Sequence, residues 1–159
     1  MTVEIRLTPY DHADAMKLTE QVQQEYVERY GDPDATLMDP ADFDRPRGAF
    51  LVGYLGGDPV ATGGWRAQDA SPEGFSDGDA EIKRMYVVAP ARGRGFARRI
   101  LAGLEEDAAA AGRSRMVLET GVLQPEAIAL YLSCGYDHIT KFGHYRDYPD
   151  SVCLGKTLP

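Results

Sequence analysis

The chain has 159 residues, of which 43% are hydrophobic and 26% are charged, and its formal net charge is −8. This length suits one hydrophobic core, so residues 1–159 are predicted to form a single domain. An acidic chain disfavours nonspecific nucleic-acid binding, which depends on a basic surface. No apolar run reaches the roughly 18 residues of a membrane span, and the N-terminus shows no secretory signal. We therefore expect a cytoplasmic protein with neither nucleic acid nor membrane as a partner.

The first half of the chain changes from strand to helix and back to strand. Residues 2–7 alternate apolar and polar side chains, which predicts a strand. Apolar residues at helical spacing predict a helix over residues 11–30. The Asp- and Pro-rich residues 31–48 predict an irregular, exposed connection. Two β-rich runs, 49–55 and 59–67, flank a Gly-Gly-Asp turn and predict a hairpin.

The second half contains a strand, a helix and another strand in sequence. Residues 80–88 have the β-branched content of a strand, and residues 94–111 repeat apolar side chains every three or four positions, as in a helix. Residues 115–120 predict the next strand. A proline at its first position and a glycine after its last predict a helix over residues 125–134. The tail contains two strand-like segments, 136–140 and 151–158.

Six basic residues between positions 83 and 99 lie before the predicted helix at 94–111 and in its first turns. A helix start carries partial positive charge, so arginines there are unfavourable unless an anion binds. The first-turn N–H groups attract a phosphate, and Gly93 and Gly95 leave room for its close approach. The alternative is a solvated surface beside a simple turn. The basic residues are Lys83, Arg84, Arg92, Arg94, Arg98 and Arg99.

Two segments resemble motifs of a known family. Residues 92–97 read RGRGFA and resemble the (Q/R)xxGx(G/A) acetyl-CoA pyrophosphate loop of the GNAT N-acetyltransferases. The preceding residues from position 80 resemble the family's fourth strand. Residues 124–136 read QPEAIALYLSCGY and resemble its later NxxAxxLYxxxGF helix, with Gln124 where many members have Asn. On these motifs the chain is identified as a member of that family.

The resemblance implies an α+β GNAT fold. Its mixed, mostly antiparallel sheet has six to seven strands and about four flanking helices, and the fourth and fifth strands splay apart. The pantetheine arm of acetyl-CoA then adds to the open strand edge, where a backbone N–H at about Val87 serves as oxyanion donor. The cofactor-binding residues implied are Met85, Tyr86, Val87, Arg92, Gly93, Arg94, Gly95, Phe96, Ala97, Arg98 and Gln124.

Two catalytic side chains follow from the same resemblance. Tyr131 matches the tyrosine that protonates the departing thiolate, and its structural alternative is a core aromatic residue. Glu81 stands where some members hold a general base, and strand alternation predicts that it shares a face with Lys83, Met85 and Val87. The alternatives are that Glu81 is a surface or salt-bridged carboxylate and that a water chain acts as the base.

The acceptor site is predicted from the first helix, the loop after it and the C-terminal strands. Five aspartates between residues 31 and 48 either attract a cationic amine or belong to an ordinary solvated loop. The three histidines have no ligand spacing, so no metal is expected. The candidate acceptor residues are Tyr26, Tyr30, Trp65 and Tyr145.

These features predict an acyl-CoA-dependent N-acetyltransferase. It would move an acetyl group from acetyl-CoA to a primary amine of a small molecule, amino acid or peptide, by direct attack in a ternary complex. One alternative is an acyl-CoA-binding sensor or interaction module of the same fold without turnover. A nucleotide-triphosphate enzyme is a weaker alternative, because GKT at 155–157 lacks the first glycine of a P-loop. Homodimers are common in the family and are compatible with this chain.

Overall fold

The computed structural model describes residues 2–159, which form a seven-stranded sheet with helices on both faces. None of the described helices combines the length and apolar character needed to cross a membrane. The strands are β1 (Glu4–Leu7), β2 (Gly48–Leu55), β3 (Asp58–Gln68), β4 (Asp79–Val87), β5 (Arg115–Gly121), β6 (Asp137–His138) and β7 (Ser151–Thr157). The α-helices are α1 (Ala13–Tyr30), α2 (Phe96–Ala110) and α3 (Pro125–Ser133), and short 3-10 helices span Pro40–Phe43 and Ala89–Ala91.

The sheet has the strand order β1-β2-β3-β4-β5-β7-β6. Within the described chain β4 and β5 are the only parallel neighbours, and the other pairs are antiparallel. The predicted mixed, mostly antiparallel sheet of six to seven strands is therefore confirmed. The expected number of about four helices corresponds to three α-helices and two 3-10 turns in residues 2–159.

Each face of the sheet has its own core. On the α2 face, Ile100 and Leu104 pack with Trp65 and Leu118. On the α1 face, helix α1 packs with the 3-10 helix at Pro40–Phe43 and with β2. The two helices thus cover opposite sides of the same strands, as apolar strand faces require.

The parallel strands β4 and β5 stay together for only three residues each. Their last pair is Glu81 with Val117, after which the strands separate. Asp79 closes the paired end, because its buried carboxylate accepts hydrogen bonds from the Arg115 guanidinium at 2.8 and 2.9 Å. The predicted splay of the fourth and fifth strands is present, and it opens a gap toward the C-terminal ends of both strands.

A β-bulge interrupts β4 inside this gap. The register between β3 and β4 shifts between Thr62 and Gly64, and Arg84 on β4 has a φ of 59°. A positive φ is unusual for a residue with a side chain. In a β-bulge one strand carries an extra residue, which has no partner on the neighbouring strand. The direction in which side chains alternate therefore reverses at Arg84.

The bulge corrects one prediction made from strand alternation. Glu81 and Lys83 reach toward the loop between α1 and β2, where Lys83 binds Asp34 at 2.8 Å. Met85 and Val87, beyond the bulge, pack against the core of the α2 face. The prediction that Glu81 shares a face with Met85 and Val87 is wrong, because the inserted residue shifts the alternation by one position.

Candidate functional site

A cavity of about 290 Å³ lies in the gap between β4 and β5. It collects side chains from α1, β4, β5, α3 and the segment before β7. Several predicted site residues are thus brought together in the structure, although they are far apart in sequence. The predicted residues that line it are Tyr26, Tyr30, Met85, Gln124, Tyr131 and Tyr145.

The open edge of β4 faces this cavity. The Val88 N–H donates to the Val60 oxygen at 2.9 Å, so Val88 directs its backbone toward β3. Neighbouring residues of an antiparallel strand direct their backbone groups to opposite sides, so the Val87 N–H faces the gap. The Val87 carbonyl, on the same side, accepts a hydrogen bond from Arg92 Nε at 2.8 Å. This geometry suits the predicted oxyanion donor, whose contact with a thioester stays a prediction.

The glycine loop, residues 92–98, leads into α2 with open backbone amides. Gly93 and Gly95 have φ values of 80° and 81°, which residues with side chains rarely adopt, and a Cβ at either position meets no protein atom within 4 Å. Gly95 caps the helix without any side-chain hydrogen bond, so the first-turn N–H groups have no acceptor within the helix. The side chain of Phe96 is buried in the core, so the polar group that Phe96 presents to the loop is its backbone N–H. The loop has the properties of an anion site.

The basic residues before α2 divide into two groups in the structure. Lys83 and Arg84 turn to the α1 side, where both bind the same oxygen of Asp34. Arg92 binds Glu25 at 3.0 Å, and Arg98 binds Ser133 Oγ at 2.8 Å. The interpretation of the whole basic run as an anion site is therefore wrong for Lys83 and Arg84.

Asp34 anchors the acceptor loop, which we define as residues 31–39. Its carboxylate lies 2.8 Å from Lys83 Nζ and 2.6 Å from Arg84 Nη1. Burial opposes its ionisation, but the charges of Lys83 and Arg84 outweigh burial and hold the pKa of Asp34 well below its usual range. Asp34 is thus a structural anion that joins the loop to β4.

Some of the other aspartates between residues 31 and 48 also have protein contacts, which a fully solvated loop would lack. Asp39 caps the 3-10 helix by accepting the Ala41 N–H, and Asp42 lies 3.3 Å from Arg66. Asp32 lines the cavity. Part of the acidic charge is therefore committed to folding, and Asp32 remains available to attract a cation.

Glu81 lies outside the first cavity. It is 4% exposed, and one carboxylate oxygen accepts hydrogen bonds from Arg66 Nε at 2.8 Å and Gln68 Nε2 at 3.0 Å. It lines a second cavity of about 420 Å³ on the α1 side. These contacts match the salt-bridged alternative, and the general-base role of Glu81 stays a prediction.

Glu119 is a cavity residue that the sequence interpretation missed. It lies on β5, and together with Lys83 and Tyr145 it lines both cavities. Burial raises the pKa of the Glu119 carboxyl to about 7. The sequence does contain one indication of this site, a single acidic residue in the strand RMVLET. Glu119 lies two positions after Val117, so it shares the strand face of a core residue.

Tyr131 contributes its hydroxyl to the cavity from α3. The residue is 5% exposed, and its ring lies 5.6 Å from the ring of Tyr136. Burial raises the pKa of Tyr131 above its ordinary value, so the phenol keeps its proton at neutral pH. Among residues 2–159 its hydroxyl has no hydrogen-bond partner, whereas the Tyr136 hydroxyl donates to Glu105 at 2.7 Å. The Tyr131 hydroxyl is therefore protonated and without a protein partner, and its role as proton donor stays a prediction.

Gln124 joins the end of α1 to the start of α3. Its Oε1 accepts hydrogen bonds from the Tyr30 hydroxyl at 3.2 Å and from Thr120 Oγ1 at 3.3 Å. With the oxygen occupied, the side-chain NH2 group is the part of Gln124 that can donate to a ligand. The predicted cofactor contact of Gln124 stays a prediction.

The candidate acceptor residues divide into three that reach the cavity and one that does not. Tyr26 and Tyr30 line it from α1, and Tyr145 closes it by accepting the Ala35 N–H at 2.7 Å. Trp65 is 0% exposed in the α2 core and donates its indole N–H to Asp107 at 2.8 Å. The structure thus places Trp65 away from the cavity. Within residues 2–159, no three His, Cys, Asp or Glu side chains are grouped to hold a metal ion.

Comparisons with known proteins agree with this geometry. The model of the Acetyltransferase (GNAT) family matches residues 17–136, a range that includes the glycine loop and Tyr131. A protein of Azospirillum brasilense named IAA acetyltransferase is 36% identical over 143 residues, which make up 90% of each chain.

Solved structures share the same fold. A Klebsiella pneumoniae protein assigned as an acyl-CoA N-acyltransferase is 27% identical with a TM-score of 0.79, and 99% of each chain is covered. A Salmonella typhimurium protein assigned as an acetyltransferase was solved with its cofactor acetyl-CoA. It is 17% identical with a TM-score of 0.68, over 100% of this chain and 95% of that chain.

Proposed function

Since the chain belongs to the Acetyltransferase (GNAT) family and has its fold, we propose that it acetylates a primary amine of a small molecule, amino acid or peptide. The resemblance predicted from RGRGFA and QPEAIALYLSCGY is confirmed by the family match. Acetyl-CoA is the acyl donor in this proposal, and the amine attacks it directly in a ternary complex.

One observation carries the proposal. Met85 on the open edge of β4 and Tyr131 on α3 line the same cavity, and the glycine loop begins five residues after the end of β4. A thioester in the gap can then meet an N–H from Val87 and a proton from Tyr131. The free amides of residues 93–98 are suited to the pyrophosphate of the same molecule.

In this proposal one backbone group and one side chain act on the thioester during the transfer. The Val87 N–H stabilises the negative charge that develops on the thioester oxygen during attack. Tyr131 donates its proton to the sulfur as the C–S bond breaks, because a thiol leaves more readily than a free thiolate. The cavity walls exclude bulk water from the thioester and hold the amine close to it.

The cavity favours a positively charged acceptor. Tyr26, Tyr30 and Tyr145 present aromatic rings, which attract cations, and Asp32 and Asp150 add negative charge. Lys83 and Arg84 also line the cavity, but Asp34 partly neutralises them. An amine that is protonated in water is therefore attracted into the site.

A panel of primary amines tests the function directly. Purified protein is mixed with acetyl-CoA and each amine, and the release of free CoA thiol is recorded. We expect at least one amine to give release above the rate of acetyl-CoA hydrolysis, with a matching acetylated product by mass spectrometry. Binding of acetyl-CoA without release on any amine would favour the sensor alternative.

Substitution of Tyr131 separates an enzyme from a binding module. Tyr131→Phe removes the hydroxyl but keeps the ring that packs on Tyr136. We expect kcat to fall by about 10²-fold or more, the usual contribution of a general acid, while the Kd for acetyl-CoA stays within about threefold. Stopped assays and calorimetry measure the two quantities. Equal turnover in the variant would refute the role of Tyr131.

A further inference from the structure

Glu119 lies in the gap beyond the last pair of β4 and β5. That pair ends at Val117, and Glu119 lies two positions further along β5. Side chains two positions apart on a strand point to the same side of the sheet. Leu118 packs in the core of the α2 face, so Val117 and Glu119 point to the opposite side. Its carboxylate therefore belongs to the part of the cavity between α1 and the acceptor loop.

Glu119 is half-buried, and it differs from the nearby carboxylates of Asp34 and Glu81 in having no cation to bind. Asp34 is held by Lys83 and Arg84, and Glu81 is held by Arg66. Among residues 2–159, no hydrogen bond or ion pair involves the Glu119 side chain. Burial of a carboxylate without a partner destabilises a fold, so packing alone does not account for this residue.

The surroundings of Glu119 set its affinity for a proton. Burial has the largest influence and raises the pKa to about 7; the charge of Lys83 opposes it, while those of Asp34 and Glu81 add to it. A carboxyl group that titrates near neutral pH can accept a proton from an ammonium and release it again. The charged and titratable groups around it are Tyr26 and Tyr30 from α1, Asp32 and Asp34 from the acceptor loop, Arg66 from β3, Glu73 from the loop after β3, Glu81, Lys83 and Arg84 from β4, Tyr131 from α3, Lys141, His144, Tyr145, Tyr148 and Asp150 from the segment before β7, and Cys153 from β7.

We propose that Glu119 is the general base that deprotonates the acceptor ammonium. This inference rests on the proposed acetyl transfer. It assigns the role to β5, whereas the sequence interpretation assigned it to Glu81 on β4. The ammonium enters the tyrosine-lined cavity and meets Glu119 directly or through one water molecule.

The proton balance of the reaction then closes. Glu119 takes one proton from the ammonium, and the neutral amine forms a C–N bond to the thioester carbon. The tetrahedral intermediate loses the sulfur as the C–S bond breaks, and the sulfur takes the proton of Tyr131. The proton still in excess on nitrogen restores the Tyr131 phenol. Glu119 releases its proton through the second cavity, which it also lines.

The pH dependence of turnover tests the proposal. With an amine accepted by wild type, kcat/KM is measured between pH 5.5 and 9.5 for wild type, Glu119→Gln, Glu119→Asp and Glu81→Gln. We expect Glu119→Gln to lose about 10²- to 10⁴-fold at pH 7 and to lose the inflection near pH 7, with an unchanged KM for acetyl-CoA. Glu119→Asp keeps a carboxylate and should retain the inflection at a reduced rate.

Glu81→Gln is the matched comparison, since it changes a buried carboxylate on the neighbouring strand. We expect it to lower thermal stability, because it breaks the contact with Arg66, and to keep the inflection near pH 7. An inflection that disappears in Glu81→Gln and persists in Glu119→Gln would overturn the proposal in favour of β4.

A titration that does not depend on turnover provides the second measurement. Protein with ¹³C-labelled glutamate carboxyl groups is titrated by NMR, and comparison with Glu119→Gln identifies the Glu119 signal. A midpoint near pH 7 supports the proposal, and an ordinary midpoint near pH 4 to 5 overturns it. If wild type acetylates no amine, the proposed function and the base fail together. If wild type is active and Glu119→Gln is equally active, only the base fails.

Discussion

The glycine loop, which follows β4 in the chain, and the acceptor loop, which binds β4 through Asp34, are held in opposite ways. The glycine loop takes its shape from backbone conformation within a few residues, with positive φ at Gly93 and Gly95 and open amides. The acceptor loop is held by distant side chains: Lys83 and Arg84 bind Asp34, and Tyr145 binds the Ala35 N–H. The glycine loop can therefore be recognised from a short sequence motif. The contacts that hold the acceptor loop come from residues far apart in sequence, so they cannot be recognised in the same way.

This difference matters for the two ligands proposed here. A diphosphate presents the same oxygen atoms in every donor, so a short stretch of backbone amides is sufficient to bind it. An acceptor amine differs from enzyme to enzyme, and its loop depends on ion pairs that other elements supply. We therefore expect substitutions in the acceptor loop to affect stability most, and substitutions in the glycine loop to affect acetyl-CoA most.

The largest effect is expected from Asp34→Ala. The change leaves Lys83 and Arg84 without their shared anion, and loss of one partner from a buried ion pair costs about 3 to 5 kcal/mol. For a domain of this size the expected fall in Tm is about 10 °C. Asp32→Ala is the control, since Asp32 lines the same cavity and contacts neither cation, and it should change stability by less than about 0.5 kcal/mol. Urea unfolding measures both.

Asp34 also predicts how stability responds to acid. Its pKa is lower in the folded than in the unfolded protein, so the unfolded state binds the extra proton as pH falls. The stabilisation is complete above the unfolded pKa of about 3.9 and decreases as pH falls toward the folded value. In Asp34→Asn this contribution to the acid dependence should be absent. Equal pH slopes for wild type and variant below pH 4 would contradict the assignment.

A glycine comparison separates backbone strain from ligand binding. Gly95 and Gly112 flank α2 with φ values of 81° and 82°, and a Cβ at either position meets no protein atom within 4 Å. Substitution of either by Ala should cost about 1 to 2 kcal/mol of stability through strain. Only Gly95→Ala should weaken acetyl-CoA binding, by about tenfold, since it disturbs amides proposed to bind phosphate. Equal binding by both variants would remove the glycine loop from the site.

The smallest effect is expected from Tyr30→Phe, which changes the contact between the end of α1 and Gln124 at the start of α3. The variant loses the hydrogen bond from the Tyr30 hydroxyl to Gln124, which contributes about 0.5 to 1.5 kcal/mol. We expect KM for acetyl-CoA to rise by less than about tenfold, because Gln124 keeps the bond from Thr120. Steady-state kinetics at saturating amine measure this change. A loss of acetyl-CoA affinity as large as that of Gly95→Ala would show that acetyl-CoA binding depends on the Tyr30–Gln124 contact more strongly than one hydrogen bond explains.

The local patterns of the sequence predicted most of the fold. The helix predicted over 125–134 spans Pro125–Ser133, and the helix predicted over 94–111 spans Phe96–Ala110, because apolar spacing and terminal Pro or Gly residues are local signals. The strand-like segment 136–140 pairs over only two residues, since β6 lies at the sheet edge beside β7.

The parts that sequence patterns missed depend on long-range contacts. The bulge at Arg84 places a non-glycine residue at positive φ, and the Asp34 contact that accompanies it comes from a residue 50 positions earlier. Glu119 resembled an ordinary strand glutamate until the separation of β4 and β5 placed it in a cavity. Trp65 was a candidate acceptor residue, but the structure places it in the core, where its indole N–H donates to Asp107.

The bulge in β4 has a consequence for how two substrates share one strand. Glu81 and Lys83 before the bulge direct their side chains to one side of the sheet, and Met85 and Val87 after it direct theirs to the other. Under the proposed function, a single inserted residue thereby gives the thioester and the amine separate entrances that meet at one carbonyl carbon. Deletion of one residue at the bulge would restore regular alternation and place the side chains of Met85 and Val87 on the side of Glu81 and Lys83.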